Sequence, residues 1–270
     1  MKFSLFVHME RYRADQTHAE LFDELEQLVR IAEDGGMETA WSGEHHGMEF
    51  TIAPNPFINI AYLASKTSRI RLGTGTVIAP FWHPLRLAGE AALTDLATEG
   101  RLDLGVARGA YSFEYGRMIP GLDAWTAGQR MREMVPLLRK LWAGDLAHHG
   151  EFWSFPKSTA VPKPTSGEMP LWLAARDPNS HAFAVENGCN VQVTPLASGD
   201  AEVESLMDRF RAACALHPHI PSPQIMLLLH TYVADSEEDV QQAARELSRF
   251  YCYFGAWCKN QRPIDNGFIQ

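Results

Sequence analysis

The chain is poor in the features that several common tasks demand. It has four cysteines in 270 residues, Cys189, Cys214, Cys252 and Cys258, and no CxxC pair among them. That spacing argues against a zinc knuckle and suits thiols that act as small apolar side chains in a reducing compartment. Positive charge is also in short supply. Lys and Arg number 24 against 33 Asp and Glu, a net charge of −9, so nothing invites nucleic acid. No apolar run approaches the roughly 18 residues of a membrane helix. The opening MKFSLFVHMERYR has too short an apolar stretch for a signal peptide, and no small-residue cleavage site follows it. Together these absences predict a soluble, cytoplasmic protein with neither a nucleic-acid nor a membrane partner. A GxGxxG fingerprint is missing after the first apolar segment, which removes the commonest nucleotide-binding doubly wound sheet.

What the chain does have is alternation of strand and helix. Residues 2–9 read as a first strand, and Leu21, Leu25, Leu28, Val29 and Ala32 recur at helical spacing before Gly35-Gly36 stops the helix. METAWSG is a second strand, IRLGTGTVIA a third and RLDLGVA a fourth, with helices predicted over 56–65, 84–98 and 130–142. A Pro-rich connection over 148–170 follows. PLWLAA is a fifth strand, leading into a helix capped by Asp177 with Pro178 in its first turn. CNVQVTP, a helix over 201–215, QIMLLLHTYVA and a helix over 236–250 complete the series. Strands that each lead into a helix are parallel, because each crossover needs its own helix. Polar residues follow strands two to five, as at the mouth of a (β/α)₈ barrel. We therefore expect an α/β fold, a TIM barrel forming one domain over 1–270 that lacks its eighth βα unit. Either this is a fragment of a longer chain or a partner covers the seam, and the fragment reading is favoured.

The second strand ends in WSGEHHGMEF, with adjacent histidines after Glu44. Neighbours at a strand end point in different directions, which makes a shared metal awkward. The strand ends nearby offer glycine, threonine and arginine in place of further metal ligands. The pair can be satisfied by loop backbone, or one free imidazole in a cleft can move a proton near neutral pH. Glu44 could orient it or bond a cofactor. Arg108 directly follows the fourth strand beside Gly109, a placement suited either to a phosphate or to an ion pair. The helix opened by Asp177, Asn179 and Ser180 has free N–H groups for an anion, although Asp177 itself brings negative charge. The glycines of LGTGTVI mark a bulge, a close approach to something flat, or a tight bend of the barrel.

These pieces, ETAWSGEHHGMEF, RIRLGTGTVIAPFWHPLRLAGEAALTDLATEGRLDLGVARGAY and AARDPNSHAFAVENG above all, resemble the bacterial luciferase-like flavin monooxygenase family from residue 1 to about residue 250. The resemblance implies a (β/α)₈ barrel binding reduced FMN, supplied by a separate reductase. It further implies O₂ used through a C4a-peroxyflavin to oxidise a small organic substrate such as an aldehyde or ketone. It assigns His45 as the catalytic histidine and Glu44 as its acidic neighbour. Gly75 and Thr76 become a bulged dipeptide under the flavin ring, often with a non-proline cis bond. Arg108 and, less securely aligned, Arg130 become phosphate ligands, with Arg176, Asp177 and Ser180 around the same phosphate. No metal is implied, and a homodimer is. Ala107 stands where luciferase has a reactive cysteine, so light emission is not implied. A deazaflavin-dependent hydride-transferring oxidoreductase, a non-catalytic flavin-binding partner subunit and a metal-dependent barrel hydrolase remain as alternatives.

Overall fold

The computed structural model describes residues 1–270 apart from Ala197, Ser222, Asn260 and Gln261. Thr17 caps the first helix through the backbone N–H of Glu20, whose carboxylate returns a bond to the cap, fixing α1 (His18–Asp34) behind β1 (Leu5–Val7). β2 (Thr39–Ser42), α2 (Pro56–Ala64), β3 (Arg71–Thr74), the short β4 (Val77–Ile78), α3 (Pro84–Ala97) and β5 (Leu102–Ala107) follow. Next come α4 (Ser112–Met118), α5 (Ala124–Ala143), a β6 (Leu146–His149) and β7 (Ser154–Ser158) hairpin, and β8 (Leu171–Ala174). α6 (Pro178–Glu186), β9 (Asn190–Val193), α7 (Gly199–Leu216), β10 (Ile225–Leu227) and α8 (Glu237–Lys259) complete the alternation before a β11 (Ile264–Asp265) and β12 (Phe268–Ile269) hairpin.

One parallel sheet runs β1-β2-β3-β5-β8-β9-β10, with β4 continuing the third position against β5. Its seven positions are the seven expected strands, and the order is that of a barrel taken strand by strand. Both faces are covered: Leu72, Leu102, Leu104, Leu173 and Val191 are all fully buried. Among the described residues no strand joins β1 to β10, and a cavity opens there instead. No helix among the described residues is long and apolar enough to cross a membrane.

Four features depart from the expectation. α4 and the β6–β7 hairpin were not legible, and the hairpin is pinned by Glu133, which accepts from the backbone of Phe152 and Trp153 at 3.0 and 2.9 Å. α5 begins at Ala124, six residues earlier than expected (130 − 124), because Asp123 caps it through Thr126 N at 2.7 Å. α8 continues nine residues past the expected end at 250 (259 − 250). Phe250, Tyr253, Phe254 and Trp257 form one stripe on it and pack against Met48, Phe50, Tyr111 and Phe113. Those partners lie in the chain after β2 and β5, so the last turns of α8 wall the C-terminal end of the sheet.

The third strand is where the barrel bends. Gly73 pairs with Asp103 and Val77 with Val106, four residues against three, so one residue bulges out. The Gly75–Thr76 peptide within that bulge is cis. Thr74 closes the gap by donating its hydroxyl to Gly105 O and accepting from Gly105 N, both at 2.7 Å. That approach needs Gly105: a Cβ there would fall 2.0 Å from the Thr74 carbonyl oxygen. Gly105→Ala should therefore cost at least about 3 kcal/mol in denaturant unfolding, since backbone has to move. Gly116→Ala in α4, where a Cβ meets nothing within 4 Å, should instead be neutral or stabilise by about 0.5–1 kcal/mol. Equal effects of the two would contradict the tight β3–β5 crossing.

Candidate active site

Each strand of the parallel sheet points its C-terminal end the same way, so the segments after β2, β3, β5 and β8 gather on one rim. The Gly43–Gly47 turn after β2 carries the paired histidines. Glu44, only 1% exposed in its side chain, accepts from His46 Nε2 at 2.7 Å, Trp82 Nε1 at 2.9 Å and Ile78 N at 2.8 Å. It ties the β2 turn to β4 and the segment after it. Glu44 therefore bonds His46 and makes no bond to His45. Burial opposes charge on His46, yet the Glu44 hydrogen bond and charge, with Glu114 behind it, outweigh that and hold its pKa above the ordinary histidine value.

His45 has a different partner. Its Nδ1 lies 3.1 Å from Oε2 of Glu114 in α4, while Oε1 of Glu114 accepts the His46 backbone N–H at 2.6 Å. Glu114 is buried, and Phe50 and Tyr111 stand against the His45 ring at centroid distances of 6.4 and 5.2 Å. A carboxylate holding Nδ1–H leaves Nε2 as the atom able to take or give a proton. Glu114 went unnoticed in the sequence. The signal available was a carboxylate inside the otherwise aromatic YSFEYG, where burial demands a partner. The cis Gly75–Thr76 peptide lies against Gly43 of the same turn, and Phe6 packs on it so closely that a Cβ on Gly75 would sit 2.5 Å from its ring.

Two arginines follow neighbouring strand ends, and a third lies on α5. Arg108, exposed just beyond β5, donates to Ala124 O at the start of α5, 3.0 Å away. Arg130 lies farther along the same helix, stacked 4.5 Å over Trp153, with its buried Nε unpartnered. Burial pulls the Arg130 guanidinium below its ordinary value, and only the Glu133 charge nearby opposes this. Arg176 leaves the adjacent β8 at the same end but is held by Glu202 of α7 at 3.1 Å. Asp177 and Ser180 cap α6 with each other, the Ser180 N–H donating to Asp177 at 3.0 Å. The structure thus places His45, Glu44, Gly75, Thr76 and Arg108 at the C-terminal ends of β2, β3 and β5, with Arg130 on α5 beyond them. It places Arg176, Asp177 and Ser180 on the same rim with their polar groups already engaged. An orphaned guanidinium nitrogen, a second guanidinium spent only on a backbone carbonyl and a flat peptide step fit a planar ligand with a phosphate tail.

Comparison with known proteins follows the same lines. A family model described as luciferase-like monooxygenase matches residues 1–266. The oxygenase component of the flavin-dependent trigonelline monooxygenase of Acinetobacter baylyi is 64% identical over 270 residues, covering 100% of this chain and 75% of that protein. Among solved structures, a monooxygenase from Streptomyces bottropensis is 26% identical with a TM-score of 0.87, over 96% of this chain and 80% of that one. The oxygenating constituent of 3,6-diketocamphane monooxygenase from Pseudomonas putida, solved in complex with FMN, shares the fold at 20% identity and TM-score 0.81, over 94% of this chain and 73% of that one.

The His46–Glu44 pair has a pH signature. A histidine whose pKa is raised by folding stabilises fully below its unfolded value, about 6.5, and that contribution disappears as pH rises through the folded value. His46→Asn should lower stability by about 1–3 kcal/mol at pH 6 and by progressively less toward pH 9, measured by thermal melts across that range. A difference that widens with pH would reverse the sign and refute the pairing.

Proposed function

The chain belongs to the luciferase-like monooxygenase family, and on that premise we propose that it is the oxygenase component of a two-component system. It takes reduced FMN from a separate reductase and uses O₂ to oxidise a small N-alkylpyridinium carboxylate of trigonelline's kind. The observation that carries this reading is the shared rim: an imidazole held by a buried carboxylate opens on the same end of the sheet as two underused guanidiniums. The substrate class is supported by the 64% identity to the trigonelline enzyme, which extends over the whole of this chain. Exposed apolar side chains on the first three helices, among them Ile31, Ile58 and Leu93, support the homodimer expected from the sequence.

Bound reduced FMN would supply the electron pair that activates O₂ and so the oxygen atom delivered to the substrate. The protein's residues do the rest. Arg108 and Arg130 grip the phosphate with charge-assisted hydrogen bonds. Phe6 fills the place of a Gly75 side chain, so the Gly75–Thr76 step would offer its other face to a flat ring. Glu114 orients His45 so that Nε2 holds or releases a proton at the reacting edge, a contribution of about 10²–10⁴ in rate. Phe50, Tyr111 and the aromatic stripe of α8 keep water from that edge.

The test is turnover of trigonelline by the purified chain with FMN, a reductase and O₂. His45→Ala should lower kcat by about 10²–10⁴ while leaving the Kd for reduced FMN within a few-fold. Arg130→Ala should weaken FMN binding by about 1.5–3 kcal/mol. Undiminished kcat in His45→Ala removes that residue from the mechanism, and support of turnover by a reduced deazaflavin in place of FMN overturns the cofactor assignment.

A further inference from the structure

The β6–β7 hairpin takes no part in the parallel sheet, and its turn packs against α5 at Arg130. Trp153, the last residue of that turn, touches both ends of the arginine. Its indole Nε1 donates to Arg130 O at 3.1 Å, and the guanidinium sits over its ring at 4.5 Å. We propose that Trp153 is a positioning residue that holds the Arg130 guanidinium toward the flavin phosphate, and that the hairpin keeps this charge unpaired by drawing Glu133 away from it. The inference rests on the reading above that Arg130 grips the phosphate, and it names what orients that arginine.

An arginine on a helix finds a natural partner in a carboxylate three or four residues away. For Arg130 that residue is Glu133, whose charge does act on the guanidinium. Its oxygens are bonded elsewhere. Oε1 accepts from His148 Nε2 and from Trp153 N, both at 2.9 Å, and Oε2 accepts from Phe152 N at 3.0 Å. Burial opposes charge on Glu133, but these bonds outweigh burial and hold its pKa below the ordinary carboxylate value. Gly150 leaves room for the arrangement: a Cβ there would fall 2.0 Å from Glu133 Oε1 and 2.5 Å from His148 Nε2. Its N–H closes the turn on Trp153 O at 2.9 Å. The indole is held from another side as well. It is buried, and the His83 ring stands edge-on to it at 5.8 Å. His83 is fixed in turn, because its side chain accepts from Leu85 N as the cap of α3.

Arg130 is therefore oriented by an aromatic face while its buried Nε has no acceptor. Arg108 runs along the same stretch of α5, where it donates to Ala124 O and a Cβ on Gly128 would meet its Cδ at 3.9 Å. A guanidinium resting on an aromatic face keeps its N–H edge for oxygen acceptors. Held there before the ligand arrives, it also loses less side-chain freedom on binding. The hairpin connects α5 to β8, an interior strand of the sheet, away from the edge strands β1 and β10.

The experiment is anaerobic titration of the flavin-free chain with reduced FMN and with reduced riboflavin, which has the same ring system without the phosphate. Trp153→Leu should weaken FMN about 5–20-fold and riboflavin less than about twofold. A residue that served only the core would weaken both alike. Trp153→Phe, which restores an aromatic face, should bind FMN several-fold more tightly than Trp153→Leu. In an Arg130→Ala background, Trp153→Leu should change FMN affinity less than about twofold. Gly150→Ala, which displaces Glu133 from the turn and frees it to pair with Arg130, should weaken FMN several-fold and leave riboflavin unchanged. It carries the test where Trp153→Leu does not fold. Equal losses for the two flavins, or unchanged FMN affinity in the variant tested, overturn the proposal. Arg130→Ala separates the two levels. If it weakens FMN while Trp153→Leu does not, positioning alone is refuted; if it leaves FMN binding unchanged, the phosphate reading falls and the proposal with it.

Discussion

Two carboxylates buried at the end of a parallel sheet organise everything around them. Glu44 and Glu114 have almost no access to water, so every lone pair has to find a donor nearby. Glu44 gathers the β2 turn, the end of β4 and the Trp82 indole; Glu114 gathers the two histidines onto α4. The rim is thereby sewn together across three strand ends that share no main-chain ladder beyond their tips. The division of labour follows. One histidine is consumed in the sewing, and the other keeps a nitrogen free. Sequence adjacency hides this, because His45 and His46 look interchangeable until their partners are known.

That is also the measure of what the sequence disclosed. Elements whose signal is local were legible: seven apolar strands, Gly35-Gly36 ending α1, and Asp177 with Pro178 opening α6. The glycines of the third strand left a bulge, a close approach and a tight bend open, and the register shows the bulge. Partners distant in sequence were not. Glu114 is 69 residues from His45, and nothing in YSFEYG says which basic group it meets. Glu133 organises a hairpin 19 and 20 residues downstream, so that hairpin read only as a Pro-rich connection. The aromatic stretch from Phe250 to Trp257 had no assigned role because a stripe at helical spacing looks the same over a core as over a reactive rim. Only its contacts with Phe50 and Tyr111 distinguish the two.

The charged groups themselves separate structure from function. At the N-terminal end of the sheet, Arg71 meets Asp103 at 2.8 Å, donates to the carbonyls of Gly100 and Leu102, and leaves Asp103 to take the Trp172 indole as well. Nothing there is left over, as expected of an ion pair that closes a barrel floor. At the opposite end the accounts do not close. Arg130 has a buried nitrogen with no acceptor, and Glu10 has a buried oxygen with no donor. Folding gains nothing from either arrangement, since a buried polar atom without a partner costs free energy. Their signs are opposite, and Arg130 is the one proposed above to hold an anionic tail. A protein stabilised for its own sake would have paired or deleted both groups. For Arg130, the phosphate proposed above as its ligand would offset that cost.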